Sequence, residues 1–338
     1  MCIPVRDEER LLPHLLTALV AIETGGVDLC ACFHLDSCTD GSAAVLRGVV
    51  LPFALHIETG KRRGDANAGR ARAAAMALGV RAVEGRGDAI LLSTDADSRP
   101  RGDWVQAAVR ALGASDVAAG RLLRIGGAGD VMQGRVERYY DRLHAYRRAI
   151  DPVAWDTTAA CHHGGAANLA MTVETYEALG GFAPVAAGED ARLLDDATRA
   201  GLRVRREPAM VVETSSRRVG RAPDGLAASL RALDAAGMPR VAHPATAAWQ
   251  WRRHAEARAA FARVDDPAKR DWFGARIGVS GDHVLGVARD CPNAEAFAMR
   301  IVPAAPDTGR LVTLGEAERA LAELEGAEME GALCRGAA

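Results

Sequence analysis

The stretch Ala89-Ile90-Leu91-Leu92-Ser93-Thr94-Asp95-Ala96-Asp97 joins a short apolar run directly to two carboxylates that are two residues apart. A bounded run of this length and composition predicts a buried β-strand. In an extended turn, both carboxylates of an Asp-x-Asp sequence can reach one divalent cation, which normally keeps positions open for phosphate oxygens. A solvated acidic turn before Pro100 is the other interpretation, because so short a pattern often occurs by chance.

Strand-like and helix-like segments alternate on both sides of this run. Upstream, the pattern predicts strands at 2–5, 27–35 and 53–57 and helices at 11–19, 43–50 and 68–83. Downstream, it predicts helices at 104–112, 131–150 and 189–200, strands at 117–123 and 203–212, and a loop at 157–171. This alternation predicts an α/β fold with a mostly parallel sheet flanked by helices.

The length of the chain, 338 residues, is enough for about two domains. Beyond residue 225 the composition becomes helical and rich in alanine and arginine. We therefore predict an α/β domain at 1–225 and a mainly helical C-terminal extension at 226–338. In the extension, Trp249, Trp251, Trp272 and Phe273 are interpreted as packing anchors between helices, with a platform for a sugar ring as the alternative.

The charge balance and the cysteines limit the possible classes of protein. The 42 basic and 44 acidic residues give a net charge of −2, so no overall positive field favours nucleic acid or an anionic membrane. No apolar segment is long enough to span a bilayer. Cys30, Cys32, His34 and Cys38 match no common zinc spacing, and the seven scattered cysteines form no secreted-type disulfide framework. We therefore expect a soluble, cytoplasmic protein without a nucleic-acid partner or a transmembrane segment.

Acidic side chains also occur at the ends of other predicted elements. Asp36 follows the second strand and could bind a nucleobase or ribose, or could simply close an Asx turn. Ligands of parallel sheets bind at the carboxyl ends of the strands, so Asp36, Asp95 and Asp97 are expected at one edge. Glu189 and Asp190 open a helix, where they could supply a general base or act only as helix caps.

Two groups of basic residues are candidates for binding phosphate. The first follows the glycine-bearing loop at 60–69 and includes Arg70 and Arg72. The second follows the last predicted strand and includes Arg217 and Arg221. Guanidinium groups suit bidentate binding of phosphate, although a run of charge is often only a solvated surface.

Between residues 3 and 221, short motifs rich in glycine and acidic residues follow one another in a single order: Ile3-Pro4-Val5-Arg6-Asp7-Glu8-Glu9, Leu35-Asp36-Ser37-Cys38-Thr39-Asp40-Gly41-Ser42, Asn67-Ala68-Gly69-Arg70-Ala71-Arg72, Thr94-Asp95-Ala96-Asp97-Ser98, Gly165-Ala166-Ala167-Asn168, Gly180-Gly181-Phe182 and Gly188-Glu189-Asp190. In this order they resemble the family 2 glycosyltransferases of the GT-A fold. The first two motifs of that family commonly read Ile-Pro-x-x-Asn-Glu-Glu and Asp-Asp-Gly-Ser-Thr-Asp-Gly-Thr.

On the nucleotide side, the resemblance implies a site for a UDP-sugar or a GDP-sugar. Pro4, Val5 and Glu8 would lie against the nucleoside. Asp36 would hold the base, and the two basic groups would contact the diphosphate.

At the reacting end, the resemblance implies that Asp95 contacts the ribose or the metal. Asp97 would bind the Mg²⁺ or Mn²⁺ that bridges the diphosphate. Asp190 would be the general base that deprotonates an acceptor hydroxyl, with Gly165 and Asn168 on the acceptor side. The acceptor would be a small molecule or a lipid-linked hydroxyl, and transfer would invert the anomeric carbon.

The chain departs from the family pattern in several places. Leu35 and Ser37 stand where the family has Asp and Gly, which leaves the nucleotide preference open. The Gln-x-x-Arg-Trp motif and the membrane helices of processive synthases are missing, which favours a soluble enzyme that makes single transfers. No histidine lies between His163 and His243, so diphosphate and water, or His243, would complete the metal shell.

Two other functions are compatible with this architecture. A nucleotidyltransferase acting on a sugar phosphate would use a similar metal site, but such enzymes usually open with a glycine-rich loop containing arginine. A catalytically inactive nucleotide-binding module is the other alternative. It would have no need to keep Asp95, Asp97 and Asp190 together.

Overall fold

The computed structural model describes residues 1–62, 64–65, 67–125, 131–157, 159, 161–220, 226–236 and 238–336. Its strands, numbered along the chain, are β1 (Cys2–Val5), β2 (Cys30–Leu35), β3 (Ala54–Thr59), β4 (Ile90–Ser93), β5 (Ser98–Pro100), β6 (Val117–Ile125), β7 (Leu169–Thr172), β8 (Val204–Ser215), β9 (Arg240–Ala242) and β10 (Leu311–Thr313). Its helices are α1 (Leu12–Val20), α2 (Ser42–Arg47), α3 (Ala68–Ala82), α4 (Trp104–Leu112), α5 (Val131–Ile150), α6 (Val173–Ala178), α7 (Glu189–Arg199), α8 (Leu226–Ala236), α9 (Pro244–Phe261), α10 (Pro267–Ile277), α11 (Gly281–Arg289), α12 (Ala294–Ile301) and α13 (Leu314–Gly336).

The chain divides into two compact units. The first comprises Met1–Gly129, His163–Ala197 and Arg203–Ala232. The second comprises Asp130–His162, Thr198–Leu202 and Leu233–Ala338. The stretch predicted as a C-terminal extension thus falls mostly in the second unit, which also takes in α5 from the middle of the chain.

The first unit is built on an eight-stranded sheet with the order β3-β2-β1-β4-β7-β6-β8-β5. Pairing is parallel from β3 through β2 and β1 to β4 and again between β6 and β8. Antiparallel pairing joins β7 to β4 and β6, and β5 to β8. Parallel pairings therefore outnumber antiparallel ones, and the predicted α/β class with helices flanking a mostly parallel sheet is confirmed.

Alternate residues of the central strands pack on opposite faces of this sheet. Ile3 and Phe33 belong to a core that also contains the leucines of α1 and Trp104 of α4. The other face receives α3, where Gly79 lies so close to Cys2 that a Cβ would be 2.4 Å from the sulfur atom. Burial on both faces explains why these strands are continuous apolar runs in the sequence.

The start of α3 explains the Asn-Ala-Gly sequence that precedes it. The side chain of Asn67 accepts a hydrogen bond of 2.7 Å from the backbone N–H of Arg70, as an N-cap does. A Cβ at Gly69 would lie 2.0 Å from the carbonyl oxygen of Ala183. Glycine is therefore the residue that allows the 183–185 segment to approach the helix.

The structure corrects the loop predicted at 157–171. A 3₁₀ turn at Ala166–Asn168 leads into β7, which pairs antiparallel between two other strands. This strand begins directly after the glycine-bearing stretch at 162–168, so no turn signal in the sequence separates it from the loop. The elements β5, α6, β9 and β10, of three to six residues each, also escaped prediction.

The second unit is mainly helical, as predicted for the C-terminal region. One apolar cluster includes Phe273 and Phe297, and another includes Tyr139 and Leu321. Trp249 and Trp251 pack against these clusters, whereas 55% of Trp272 is exposed and that side chain is not a core anchor. The strands β9 and β10 form a separate antiparallel pair. Among the described residues, no helix is both long and apolar enough to cross a membrane.

Candidate functional site

A cleft of about 470 Å³ lies in the first unit, where β1, β2 and β4 end. Parallel strands bring their carboxyl ends to one edge, which is why motifs far apart in the sequence meet there. The cleft is lined by most of the residues predicted for the site: Pro4, Val5, Glu8, Asp36, Arg72, Asp95, Asp97, Gly165, Glu189, Asp190 and Arg217. Arg70 and Asn168 are not among its lining residues, and Arg221 lies outside the described residues.

The turn after β4 directs both of its carboxylates into the cleft. Asp95 and Asp97 both line the cleft, as does Ala96 between them, which also packs against the core. The N–H of Ser98 donates a 3.1 Å hydrogen bond to the carbonyl of Asp95, which closes the turn before β5. The Asp-x-Asp sequence is therefore an ordered corner between two strands.

Two acidic side chains, those of Glu8 and Asp97, contact Arg217, which follows β8. Its Nη2 lies 3.2 Å from Oδ2 of Asp97, and its Nη1 donates a 2.6 Å hydrogen bond to Oε2 of Glu8. The pKa of Asp97 is raised to about 7, chiefly by burial and then by the negative charges of Asp95 and Glu8, while Arg217 opposes the shift. Glu8, Asp95 and Asp97 thus outnumber the two guanidinium groups that contact them, those of Arg217 and Arg72.

This donor set fits a hard divalent cation. Carboxylate oxygens are the ligands that Mg²⁺ and Mn²⁺ prefer, and a nearby cation would favour the ionised form of Asp97. The residues that would hold the ion are Asp97 and Asp95. His243, the histidine considered from the sequence, belongs to the second unit, where its Nδ1 accepts a hydrogen bond from the N–H of Ala245 at the start of α9.

We expect binding of Mn²⁺ alone to depend on pH through Asp97. Below its pKa of about 7 the carboxyl group is protonated, so the ion must displace a proton, and the affinity should fall about tenfold per pH unit. Above that value the affinity should level off. Electron paramagnetic resonance of free Mn²⁺ between pH 5.5 and 8.5 measures this, and Asp97→Asn should bind weakly with a flat profile. A wild-type profile without this slope would contradict the prediction.

Arg72 links the walls of the cleft from within α3. Its Nη2 donates to Asp95 Oδ1 at 2.7 Å, and its Nε donates to Glu189 Oε1 at 3.3 Å. Its Nη1 donates both to Ser93 Oγ at 2.9 Å and to the carbonyl of Ala166 at 3.2 Å. Only 8% of the side chain is exposed. Four of the five N–H groups of Arg72 are therefore donated to protein acceptors, and its role as a phosphate ligand stays a prediction.

Glu189 and Asp190 are neighbours in the sequence but have different surroundings. The side chain of Glu189 is buried against Arg72. That of Asp190 is half-buried at the cleft, where Oδ2 accepts a 3.2 Å hydrogen bond from the N–H of Ala166 and Oδ1 a 2.7 Å bond from the N–H of Ala191. Asp190 is thus the carboxylate of this pair that remains a candidate base, and Glu189 is a partner of Arg72.

Two predicted residues lie outside the cleft. Asn168 is completely buried, accepts from Trp104 Nε1 at 2.8 Å, and donates to the carbonyls of Arg121 and Met210. The amide oxygen and both amide hydrogens of Asn168 are therefore bonded to α4, β6 and β8. Arg70 donates to the carbonyl and the carboxylate of Asp65, an exposed residue on the loop before α3.

Sequence reasoning missed Arg6, which lines the cleft next to Asp36. Its Nη1 donates a 3.1 Å hydrogen bond to Oδ2 of Asp36 and a 3.2 Å bond to the carbonyl of Asp65. The hydroxyl of Ser37, a residue with a positive φ of 57°, lies 3.2 Å from Oδ1 of Asp36. The signal was present in the sequence, because Arg6 follows β1 as Asp36 follows β2, and adjacent parallel strands end side by side.

No family model matches the chain, and no curated protein matches it in sequence. Among solved structures, it is similar to residues 1–349 of S. aureus TarS in complex with UDP-GlcNAc, with 13% identity, 88% of each chain covered and a TM-score of 0.48. It is also similar to mannosyltransferase PcManGT from Pyrobaculum calidifontis in complex with GDP-Man and Mn²⁺, with 20% identity, 99% of this chain and 78% of that chain covered and a TM-score of 0.47. A longer TarS structure is also similar, with 14% identity and a TM-score of 0.45. The match covers 63% of this chain but only 36% of the longer TarS chain.

Proposed function

We propose that this chain is an inverting, metal-dependent glycosyltransferase of family 2 that makes single transfers. The donor would be a nucleoside-diphosphate sugar, and the acceptor a hydroxyl group of a small molecule or a lipid-linked molecule. One observation carries the proposal: a single cleft gathers Asp36, the pair Asp95 and Asp97, Arg217 and, on a separate element, Asp190.

The donor side of the cleft suits a nucleoside diphosphate. Pro4 and Val5 give a partly apolar wall near the carboxylate of Asp36, which can accept hydrogen bonds from a base. Arg217 follows β8 and carries a guanidinium that can donate to phosphate oxygens. The bound Mg²⁺ or Mn²⁺, held by Asp97 and Asp95, would supply positive charge at the diphosphate.

The acceptor side needs one base, and Asp190 has the required chemistry. In the proposed reaction its carboxylate takes the proton of the acceptor hydroxyl while that oxygen forms a bond to the anomeric carbon. The bond from this carbon to the diphosphate oxygen breaks on the opposite side, and the nucleoside diphosphate leaves with the electron pair. Attack opposite the leaving group inverts the anomeric carbon. The N–H groups of Ala166 and Ala191 hold the carboxylate in position.

The direct test is binding and slow hydrolysis of a panel of nucleoside-diphosphate sugars in the presence of Mn²⁺. We expect at least one donor to bind by calorimetry and to release its nucleoside diphosphate. Asp97→Ala should weaken binding by about tenfold or more, a loss of about 1.4 kcal/mol. Asp116→Asn is the matched control, since that carboxylate pairs with Arg203 away from the cleft lining. Equal affinity of wild type and Asp97→Ala for every donor would reject the proposal.

A further inference from the structure

The pair formed by Arg6 and Asp36 has a hydrogen-bonding pattern that the proposed function does not by itself explain. Both side chains line the cleft, and 22% of Arg6 and 9% of Asp36 are exposed. A carboxylate and a guanidinium thus present acceptors and donors next to each other. Such a pair is complementary to a ligand edge that carries donors beside an acceptor.

The carboxylate of Asp36 keeps one acceptor site on each oxygen. Oδ2 accepts from Arg6, and Oδ1 accepts from the hydroxyl of Ser37. Each carboxylate oxygen can accept about two hydrogen bonds, so two adjacent acceptor sites remain. These contacts also hold the carboxylate in one orientation, because each oxygen is engaged from a different side.

The guanidinium of Arg6 keeps donors next to those acceptors. Its two hydrogen bonds, to Asp36 and to the carbonyl of Asp65, both come from Nη1. Within the part of the chain that the structure describes, Nη2 and Nε of Arg6 make no hydrogen bond. Arg6 can therefore donate to a ligand atom that lies beside the carboxylate.

Guanine is the common nucleobase whose edge matches this pattern. Its N1–H and N2–H₂ groups are two adjacent donors for the carboxylate, and O6 and N7 are acceptors that suit arginine. Uracil has only N3–H between two carbonyl oxygens, so one carboxylate oxygen would face another acceptor. Adenine and cytosine each place a ring-nitrogen acceptor beside a single amino group.

We infer that Arg6 and Asp36 select guanine, so that the donor is a guanosine-diphosphate sugar. The inference rests on the proposed function, which requires only some nucleoside diphosphate at this cleft. In this arrangement Asp36 accepts from N1–H and N2–H₂, and Arg6 donates to O6 or N7. Ser37, which stands in the left-handed region of backbone conformation, orients Asp36.

The test is calorimetric titration of the full chain with GDP, UDP and inosine diphosphate in the presence of Mn²⁺. We expect GDP to bind about 10- to 100-fold more tightly than UDP. Inosine diphosphate, which lacks the N2 amino group but keeps O6 and N7, should be intermediate. Binding of UDP as tight as that of GDP would overturn the inference and leave the proposed function standing. If no nucleoside diphosphate binds, the proposed function fails as well.

Asp36→Asn provides a gain of binding that a merely structural role would not produce. The asparagine amide offers one acceptor and one donor, which complement N1–H and the O2 carbonyl of xanthine. We therefore expect the affinity of this variant for GDP to fall at least tenfold, and the variant to bind xanthosine diphosphate more tightly than GDP. The control is Asp28→Asn, because Asp28 is an exposed carboxylate paired with Arg86. This control should keep the wild-type preference. If the preference of Asp36→Asn does not change from GDP to xanthosine diphosphate, Asp36 does not form hydrogen bonds to the base.

Arg6→Ala gives a second variant in case Asp36→Asn does not fold. The affinity for GDP should fall at least tenfold, whereas the affinity for UDP should change by less than threefold. The reason is that only guanine presents O6 and N7 beside the N–H groups from which Asp36 accepts hydrogen bonds. An equal loss for GDP and UDP would mean that Arg6 contacts the diphosphate, and would overturn its role in base selection.

Discussion

Asp190→Asn is expected to lower kcat for sugar transfer by about 10²- to 10⁴-fold, because the amide cannot accept the proton of the acceptor hydroxyl. Asparagine has nearly the same shape and keeps an oxygen that can accept from the N–H of Ala166, so the local structure should survive. Donor affinity should change by less than threefold. Steady-state kinetics with a donor and acceptor pair, together with calorimetry of the donor alone, measure the two effects separately.

A control on the same helix separates this effect from a general change of charge. Asp196 is also an aspartate of α7, but it is half-exposed and pairs with Arg192 one turn away. We expect Asp196→Asn to keep the wild-type kcat within about twofold, since exposed pairs contribute little. If Asp190→Asn retained a third or more of the wild-type kcat, Asp190 would not be the base, and another group on the acceptor side would have to be sought.

A second large effect is expected for Arg72→Met, which should lower the free energy of unfolding by about 3–5 kcal/mol. The substitution removes the cation from a site where Glu189 is 8% exposed and has its charge balanced by this guanidinium. It also leaves the hydroxyl of Ser93 and the carbonyl of Ala166 without their donor from Arg72. Urea denaturation followed by circular dichroism measures the loss.

Another arginine of α3 supplies the matched control. Arg81 also pairs with a carboxylate, that of Glu58, but 54% of its side chain is exposed. We expect Arg81→Met to cost less than about 1 kcal/mol. The double variant Arg72→Met with Glu189→Leu should recover part of the loss, because it removes the stranded charge as well. Equal costs for the two single variants would show that the buried network contributes no special stability.

The same network connects stability to the proposed chemistry. Arg72 contacts Asp95 on one side and, through Glu189 and Ala166, the two segments that hold Asp190 on the other. Arg72, predicted as a phosphate ligand, thus also supports the segments that carry the proposed donor and acceptor sides. Its loss should disturb both sides even in molecules that remain folded.

Much of the candidate site followed from local sequence. Asp36, Asp95 and Asp97 each follow a strand that is recognisable by its apolar run, and the parallel class predicts that strand ends share one edge. The two strands β1 and β2 pair with Val5 opposite Leu35. Applied to both strands, this reasoning would also have found Arg6 beside Asp36.

The individual arginines could not be assigned in the same way. Arg70 and Arg72 are two residues apart on α3, about 200° around the helix, so they face opposite directions. The helix is rich in alanine on all sides, and no apolar stripe indicates which face meets the sheet. Only packing against the sheet decides that Arg72 is buried and that Arg70 turns towards Asp65.

The sequence by itself thus determined the α/β class, the edge of the sheet where the candidate site lies, and most of the residues that the cleft brings together there. These depend on periodicity and on strand ends, which are local properties of the chain. The tertiary structure alone decided the burial of Glu189, Arg72 and Asn168. Those outcomes depend on contacts between segments distant in the sequence, and residue type does not reveal which neighbour satisfies a buried charge.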